Sequence, residues 1–528
     1  MNKDKSMMAT CISTETKELF IEWQDIEHPL DREVYELIEE LNGLIRDDDD
    51  DFEIFRHQSK TDELWSLLIS KAIKCLRYYD KREPFMQNSE KKPLAYGMDE
   101  LDKYYKKYKE FESMLYGSNQ YYRDHVVHVL RTWLSGVKCM VKNKGDYLNF
   151  ISICDGEGNI ELNHAEKLSI WTIIALTHDL GYPLEKAKGI VDTTRSMVST
   201  FITNPDLSMD ISFRGVQNYM NDYIVRLMSS KMKNKGTKED PRYVARLQSK
   251  YYFKFQKSLE KTRHGIISTL IIYKLLTYFL ESDYNINEDY EFEPEDRRQF
   301  YIRREILRAI ASHTCTDVYH LYMNSFAFLL IIADDTQEWG RKYISELYIP
   351  TDKKYKLGDI DLIISSDVKN NPHKCKINEK LVIPEKKGPE AIIALLDRFR
   401  HQALNYVTIF RDGQETTKRD FSFIRELTVE YGSSSICFDM KLDISNNHAS
   451  YLQGTMKYSS DGDKNKDFGK KFFEELKKKL GSSVEWKIFD ENKKKAMSSE
   501  DKKAASSDDE NSDPAKWRAG TFSIGLTN

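Results

Sequence analysis

The stretch that most constrains the fold is residues 170–184, IWTIIALTHDLGYPL. The apolar residues of a buried helix run directly into His178 and Asp179, and Gly181 and Pro183 follow. Burying an imidazole beside a carboxylate costs free energy unless both groups find partners. A divalent metal ion is a suitable partner, because imidazole nitrogen and carboxylate oxygen both ligate such ions. This stretch therefore predicts a metal site if other apolar helices of the chain also carry histidine or aspartate.

Length and composition indicate a soluble chain of more than one domain. Its 528 residues exceed the size at which a single hydrophobic core stops growing. The purest apolar run, residues 326–333, is too short to span a bilayer. The seven cysteines include no CxxC pair, and the first residues contain no apolar secretory segment. We therefore expect a cytoplasmic protein with no membrane partner.

The charge of the chain bears on possible nucleic-acid binding. The formal net charge of −5 gives no support for nucleic acid as a partner of the whole chain, because such proteins usually show a basic footprint. One local exception is the polar and basic segment 229–241, SSKMKNKGTKEDP. This segment is interpreted as a mobile surface loop, and the alternative is a basic lip that recruits a polyanion.

Hydrophobic periodicity predicts a mainly α-helical chain with a smaller α+β module near its end. Asp31 is the predicted N-cap of the helix REVYELIEELNGLIR, which follows it directly. From residue 420 onward, alternating segments such as RELTVEYG and SSICFDMKLDI predict strands. The predicted order is an N-terminal helical extension (1–114), a helical domain with the basic loop and a loop-rich segment at 346–390 (115–415), an α+β module (416–491), and a disordered linker followed by a C-terminal edge strand (492–528).

Four further positions resemble the His178–Asp179 pair in character. Each places a metal-competent group on or at the end of an apolar helix: His125 in YYRDHVVHVLRTWL, His264 before GIISTLIIYKLL, His313 in REILRAIASHTC, and Asp334 after FAFLLIIA. Any one of them is readily explained as a core residue with a hydrogen-bond partner. Five helices that all present such groups favour a shared metal site.

These residues carry a family resemblance. The order of His125, His178–Asp179 and Asp334 resembles the signature of the HD-domain metal-dependent phosphohydrolase superfamily. THDLGYPLEKA resembles the HD motif of that family, and LIIADDTQEWGR resembles its closing aspartate helix. His264 in RHGIIS and His313 in AIASH match the histidines of dinuclear members. The resemblance covers roughly residues 115–345 and implies an HD-type helical bundle.

The resemblance also implies a ligand set and a reaction. His125, His178, Asp179 and Asp334 would hold one metal ion, and Asp179 would bridge to a second ion held by His264 and His313. Mixed imidazole and carboxylate ligands suit two divalent transition metal ions, namely Fe, Mn, Ni, Co or Zn. Such a pair activates water for attack on a phosphate ester. The implied enzyme is a hydrolase of a nucleotide or related ester, acting as a phosphomonoesterase, phosphodiesterase or dNTP triphosphohydrolase.

Three assignments around this centre stay open. His128 shares a helix face with His125, so either residue could be the ligand, and the family pattern favours His125. His128 would then be a catalytic proton donor or a packing residue. Lys186 and Arg341 are candidates for binding substrate phosphate. Their alternatives are a solvated helix residue and an ion pair with Glu338, respectively.

A different class of function is the runner-up. An HD-like fold can act as a regulatory module that senses a nucleotide or binds a partner protein with little turnover. Loss of ligand residues would mark such a module, and here all six expected positions are filled. The resemblance also makes a homo-oligomer possible, because helical members of this size often self-associate.

Overall fold

The computed structural model describes most of the first 339 residues and a set of strands beyond them. The described ranges are 2–46, 53–80, 94–118, 124–154, 159–203, 216–315, 321–337, 339, 356–365, 373–383, 409–410, 421–431, 436–443, 451–459, 478, 485–489 and 517–525. The chain forms two compact units, one of residues 1–349 with 410–417 and one of residues 350–409 with 418–528. The protein is mainly helical, as predicted. Among the described helices, none is long and apolar enough to cross a membrane.

Helices build the first unit. They are α1 (Lys3–Cys11), α2 (Thr14–Leu19), α3 (Arg32–Leu44), α4 (Gln58–Tyr79), α5 (Met98–Ser118), α6 (Val126–Phe150), α7 (His164–Thr177), α8 (Tyr182–Val198), α9 (Val216–Ser229), α10 (Ser249–Glu260), α11 (His264–Leu275), α12 (Thr277–Leu280), α13 (Pro294–Ser312) and α14 (Phe326–Thr336). Short 3-10 helices cover Ile21–Trp23 and Glu53–His57. The short strands are β1 (Ile153–Cys154), β2 (Asn159–Ile160), β3 (Ser230–Asn234), β4 (Tyr243–Leu247) and β5 (Leu321–Tyr322).

Helix α7 lies at the centre of this unit and is buried from Ala165 to Thr177. It begins with a capping box, in which Asn163 and Glu166 satisfy each other's backbone N–H groups. Tryptophans of the neighbouring helices fix its position, since Trp65 of α4 donates to the Leu176 carbonyl and Trp133 of α6 donates to Thr172. The apolar sequence therefore forms the buried helix that its composition predicts.

Helix α7 ends before Gly181 and Pro183, the helix-breaking residues that follow the His178–Asp179 pair in the sequence. The helix ends at Thr177, and His178 to Gly181 form the turn that leads into α8. Pro183 lies in the first turn of α8, where its missing N–H would have had no helical partner. The His178–Asp179 pair is consequently held in a turn between two helices.

The N-terminal helices are part of the first unit, although the sequence suggested a separate extension over residues 1–114. Asp31 caps α3 as expected, because its carboxylate accepts from the Val34 N–H at 3.2 Å. Helix α1 is tied to α6 by a buried ion pair of Asp4 and Arg131, which are both about 1% exposed or less. A boundary at residue 114 is not found, because long-range contacts of this kind join the two segments.

The segment 229–241 begins a β-hairpin and was expected to be an irregular loop. Strands β3 and β4 pair antiparallel, with Lys231 opposite Arg246 and Lys233 opposite Val244. Met232 and Ala245 are buried beneath the hairpin. The alternation of buried and exposed residues in β3 is short and was hidden by its lysines.

The second unit contains a seven-stranded sheet. Its strands are β6 (Lys356–Ser365), β7 (His373–Ile383), β9 (Phe421–Tyr431), β10 (Ile436–Asp443), β11 (Tyr451–Ser459), β12 (Glu485–Phe489) and β13 (Trp517–Gly525), and the short β8 (Ile409–Phe410) lies where the two units divide. The order in the sheet is β12-β13-β11-β10-β9-β7-β6. Neighbours are antiparallel except β7 and β9, which are parallel.

Two sequence expectations are corrected by this sheet. Residues 346–390 were assigned to the helical domain as a loop-rich segment, but β6 and β7 belong to the sheet of the second unit. The C-terminal strand was expected at an edge, yet β13 pairs with both β11 and β12 and is internal. The reason is pairing between segments distant in the chain, such as His373 with Phe421, which local patterns do not reveal.

Several predicted segments lie outside the described residues. They are residues 47–51 of the predicted N-terminal extension, most of residues 390–410, residues 466–481 of the predicted α+β module apart from Lys478, and residues 492–514 of the predicted linker.

Candidate metal centre

Five helices bring six side chains together around the turn after α7. His178 and Asp179 lie in that turn and are 0% and 4% exposed. The other four come from the ends or faces of separate elements: His128 of α6, His264 of α11, His313 just after α13, and Asp334 of α14.

Asp179 stands between two groups of histidines and presents one carboxylate oxygen to each. Its Oδ2 lies 3.4 Å from His178 Nε2 and 3.8 Å from His128 Nε2. Its Oδ1 lies 3.3 Å from His264 Nε2 and 3.6 Å from His313 Nε2. The carboxylate thus has the placement of a bridge between two adjacent cation sites.

Asp334 completes the group on the Oδ2 side. Its Oδ1 lies 2.8 Å from His128 Nε2 and 3.9 Å from His178 Nε2. On the other side, His313 Nε2 lies 3.1 Å from His264 Nε2. Two sets of ligand-type atoms, His128–His178–Asp334 and His178–Asp179–His313, each fall within 4.8 Å of one another.

The second ring nitrogen of every histidine in the cluster is held by an acceptor. His178 Nδ1 donates to the Ala175 carbonyl at 2.8 Å, and His313 Nδ1 donates to the Ile310 carbonyl at 2.5 Å. His264 Nδ1 donates to the Glu185 carboxylate at 2.7 Å, and His128 Nδ1 donates to Gln337 Oε1. Because these oxygens can only accept, the Nε2 atom of each neutral ring carries the lone pair. All four Nε2 atoms face the two aspartates, which is the arrangement found around metal-ligating histidines.

The residues fit a bound cation. His178 Nε2 is fully buried and has no hydrogen-bond partner, although two carboxylate oxygens lie within 3.9 Å of it. A lone pair buried opposite negative oxygens is unfavourable unless positive charge lies between them. Imidazole nitrogen and carboxylate oxygen together suit borderline transition metals, whereas Mg²⁺ and Ca²⁺ prefer oxygen shells.

The pKa shifts in the cluster also favour positive charge beside the two aspartates. Burial lowers the pKa of His264, but hydrogen bonds to Asp179 and Glu185 outweigh burial and raise this pKa to about 9. Burial opposes ionisation of Asp179 and Asp334, yet the nearby histidines hold the pKa of both carboxyls below its ordinary value. Burial lowers the pKa of His178, which favours its neutral, ligating form. A proton on His264 therefore supplies the positive charge when no other cation is bound.

His128 lies in the position that the sequence analysis favoured for His125. His125 immediately precedes α6, and its ring stacks on Tyr182 with centroids 3.6 Å apart. Its backbone N–H donates to Glu112 at 2.8 Å. His128 is one turn further along and is the residue that reaches Asp334. The preference for His125 is thus corrected, because the helix begins at Val126 and directs the two rings to different neighbours.

Of the two candidates for binding substrate phosphate, Lys186 lies within the described residues. Lys186 lies on α8, with Nζ 4.7 Å from the centre of the Tyr182 ring. The Tyr182 ring also contacts His264, with centroids 5.3 Å apart, so Lys186 lies at the border of the centre. Arg341 and Glu338 lie outside the described residues.

Two glycines allow the helices to approach closely enough to form the centre. A Cβ on Gly181 would lie 2.4 Å from the His264 carbonyl oxygen, and one on Gly265 would lie 2.7 Å from the Ile310 carbonyl oxygen. Ser268 joins the same elements, since it donates to the His178 carbonyl and accepts from the Gly181 N–H. These contacts bring His264 and His313 to Asp179.

Two residues that the sequence analysis missed hold the ligands in place. Glu185 accepts from both the backbone N–H and the Nδ1 of His264, at 2.7 Å each. Gln337 accepts from His128 Nδ1, and its own amide donates to the Trp339 carbonyl at 2.7 Å. Their positions, six residues after Asp179 and three after Asp334, are the only local signal for them. Their partners are distant in the chain.

The contacts of Gln337 continue to the N-terminal helix. Arg131 donates to the Trp339 carbonyl and forms two bonds with the Asp4 carboxylate, at 2.8 and 2.6 Å. The Trp339 indole also donates to Asp4 at 2.8 Å. A continuous set of buried bonds therefore runs from Asp4 through Trp339 and Gln337 to His128.

Helix α5 lies beside the centre, although the sequence analysis assigned it to the N-terminal extension. The Tyr104 hydroxyl donates to the carbonyl of Leu180, next to Asp179. Tyr108 is 3% exposed, and its hydroxyl has no hydrogen-bond partner. Burial raises the pKa of Tyr108, as do the charges of Glu112, Asp179 and Asp124.

The arrangement can hold two cations side by side among buried polar side chains, with a shared carboxylate between them. No family model, no curated protein and no solved structure matches the chain.

Proposed function

We propose that this protein is a hydrolase of phosphate esters that uses a dinuclear centre of divalent transition metal ions. The observation that carries the proposal is the position of the Asp179 carboxylate. Each of its two oxygens faces two histidine Nε2 atoms at 3.3–3.8 Å. A carboxylate shared in this way is characteristic of two-metal hydrolytic sites.

The ligand set divides into two halves. His128, His178 and Asp334 would hold one ion together with Asp179 Oδ2, and His264 and His313 would hold the other together with Asp179 Oδ1. Iron, manganese, nickel, cobalt and zinc suit these ligands. When bound, such a pair supplies Lewis acidity and lowers the pKa of coordinated water toward neutrality.

The chain itself supplies orientation and charge. Acceptors on the four Nδ1 atoms keep each Nε2 atom directed at the centre, so the ligands need little rearrangement on binding. Lys186 and the stacked rings of His125 and Tyr182 lie at the border, where a phosphate group would approach. A lysine there would favour an anionic substrate.

A nucleotide or related phosphate ester is the proposed substrate class. The resemblance of THDLGYPLEKA and LIIADDTQEWGR to the HD-domain phosphohydrolases supports this choice, as does the convergence of His178, Asp179 and Asp334. An HD-type bundle is part of the same proposal.

Elemental analysis combined with an activity screen tests the proposal. Protein expressed with supplemented transition metals should contain about two ions per chain, because the six ligands provide two sites. The same protein should hydrolyse at least one member of a panel of nucleotides, cyclic nucleotides and phosphodiesters, and a chelator should remove the activity. Full metal occupancy without turnover would instead indicate a regulatory module, and a metal content near zero would contradict the centre itself.

A further inference from the structure

The distribution of positive charge along the first unit suggests a partner. Residues 226–263 contain twelve lysine and arginine residues and only three acidic residues, in a chain whose net charge is −5. All of these residues are described, and they form the end of α9, the β3–β4 hairpin and α10. The positive charge is therefore concentrated in one continuous part of the fold.

Helix α10 and its C-cap residue Lys261 place four lysines on one face. Lys250, Lys254, Lys257 and Lys261 follow one another at intervals of four, three and four residues. At 100° per residue these positions fall within an arc of about 60°, along roughly 17 Å of helix. The helix packs through Phe255, which points about 130° away from this arc. The lysine face is thus turned away from the core.

An exposed aromatic ring lies among these lysines. Phe253 is 69% exposed and lies beside Lys250 and Lys257 on the helix surface. Leaving a phenylalanine in water has no structural benefit, whereas aromatic rings within positive surfaces stack on the bases of single-stranded nucleic acids.

The hairpin adds charge at the start of α10. Lys231 and Arg246 are directly opposite in the register of β3 and β4, and like charges in that arrangement destabilise a sheet. The charged residues at the tip of the hairpin have partners on a neighbouring segment: Arg242 lies 3.5 Å from Glu291, and Lys235 donates to the Glu288 carbonyl. A polyanion bound along the strands would relieve the repulsion between Lys231 and Arg246.

The same surface leads toward the metal centre. Lys261 is three residues before His264, so their Cα atoms are at most about 11 Å apart. Arg263 comes directly before His264 and lies 3.4 Å from Glu185, the acceptor of the His264 ring. A strand that follows the lysines of α10 would therefore approach the ligands of the proposed second ion.

We propose that this surface binds single-stranded nucleic acid and directs its phosphodiester backbone toward the centre. We call it the basic strip, and it consists of Lys231, Arg246, Lys250, Phe253, Lys254, Lys257 and Lys261. The binding step stands on the strip alone, and the delivery of phosphodiesters for cleavage rests on the proposed function.

Fluorescence anisotropy with a labelled oligothymidylate of about 20 nucleotides tests the binding step, since single-strand sites cover roughly 4–16 nucleotides. The full chain is used in the presence of a chelator, so that the result does not depend on the metal centre. The test variant is Lys250→Ala/Lys257→Ala/Lys261→Ala. Its matched control is Lys103→Ala/Lys106→Ala/Lys107→Ala, which removes three equally exposed lysines from α5.

The parent protein should bind the oligonucleotide with strong salt dependence. The strip variant should bind about tenfold more weakly or worse at ~0.1 M salt, and its log–log salt slope should fall by about 2, because each phosphate contact contributes ~0.7. The α5 control should stay within about twofold of the parent. Phe253→Ala should weaken binding at least about fivefold through lost base stacking.

Three results would overturn the proposal: no binding by the parent at low salt, an equal loss in the α5 control, or full competition by inorganic polyphosphate with no effect of Phe253→Ala. The last result would identify a surface that recognises charge alone. Because binding is measured without metal, the two proposals can fail separately. A metal content near zero in the elemental analysis, with intact oligonucleotide binding, would contradict the proposed hydrolase and leave the strip in place. A filled centre without binding would do the reverse.

Discussion

Two buried clusters of charged residues lie in the helical unit, and they differ in how their charges are satisfied. In the first, the Asp4 carboxylate accepts two bonds from Arg131 and one from the Trp339 indole. In the second, Asp179 and Asp334 face the Nε2 atoms of four histidines, and His178 Nε2 has no hydrogen-bond partner. The first cluster is complete as it stands, whereas the second leaves a buried ring nitrogen unpaired beside groups that could hold a metal ion.

Under the proposed function, the difference separates a structural role from a metal-binding one. Buried charges that are fully paired hold elements together, and breaking such a pair leaves an uncompensated charge. Buried groups that converge without partners are kept for a ligand at some cost in stability. Substitutions in the first cluster should therefore change stability, and those in the second should change metal binding and activity.

The largest effect is expected for Asp179→Ala. Removing the carboxylate that both halves share should reduce the metal content from about two ions per chain to one or fewer, and hydrolysis should fall below detection. The helical circular dichroism spectrum and a cooperative thermal transition should remain. A variant that hydrolyses substrate as fast as the parent protein would show that Asp179 does not bridge two ions.

Asp4→Ala should affect stability most. Leaving Arg131 without its carboxylate is expected to lower the free energy of unfolding by about 3–5 kcal/mol, as measured by urea denaturation. Glu36→Ala is the control, because it breaks an exposed Arg32–Glu36 pair worth under ~0.5 kcal/mol. The double variant Asp4→Ala/Arg131→Met should recover part of the loss. Equal effects of Asp4→Ala and Glu36→Ala would remove the distinction between buried and exposed pairs here.

Gln337→Leu tests the connection between the two clusters. The substitution removes the acceptor of His128 Nδ1, so the affinity for metal should fall about 10–100-fold in a chelator competition. Gln337→Glu keeps an acceptor and should restore most of the affinity. Gln299→Leu is the control, since Gln299 is equally buried but bonds to Asp80, and its metal affinity should match that of the parent. A loss of the same size in that control would indicate general destabilisation.

The pH dependence of metal binding should be the smallest effect. Since the pKa of His264 is raised to about 9 from 6.5, metal must displace a proton from this ring at any pH below about 9. Affinity should rise by at most about tenfold per pH unit up to pH 9. The same proton stabilises the metal-free fold below pH 6.5, and this contribution is lost as pH rises through 9. Calorimetry in buffers of different ionisation enthalpy would count the proton, and His264→Gln should abolish its release.

The sequence was sufficient to identify most of the cluster. His178, Asp179, His264, His313 and Asp334 stand on or at the ends of apolar helices, where an unpaired polar group is costly, and they do converge. His128 could not be separated from His125 by pattern, because a spacing of three residues predicts the same helix face for both. The choice depended on where α6 begins and on the position of Asp334.

The supporting residues were beyond sequence reasoning for a different reason. Glu185, Gln337 and Asp4 are ordinary polar residues in polar contexts, and their roles arise from partners 79, 209 and 127 residues away. The basic strip is an intermediate case. Its charge is visible in the sequence, but the alignment of its lysines on one face required the hairpin and α10 to be in place.

By itself the sequence determined that α7 would be buried and that its His178–Asp179 end would need partners, because apolar periodicity and the cost of burying charge are local properties. Only the tertiary structure decided which histidine meets Asp334, which oxygen of Asp179 faces which ring, and that the N-terminal helix supports His128. These outcomes depend on the approach of helices far apart in the chain, which Gly181 and Gly265 permit through close backbone contact.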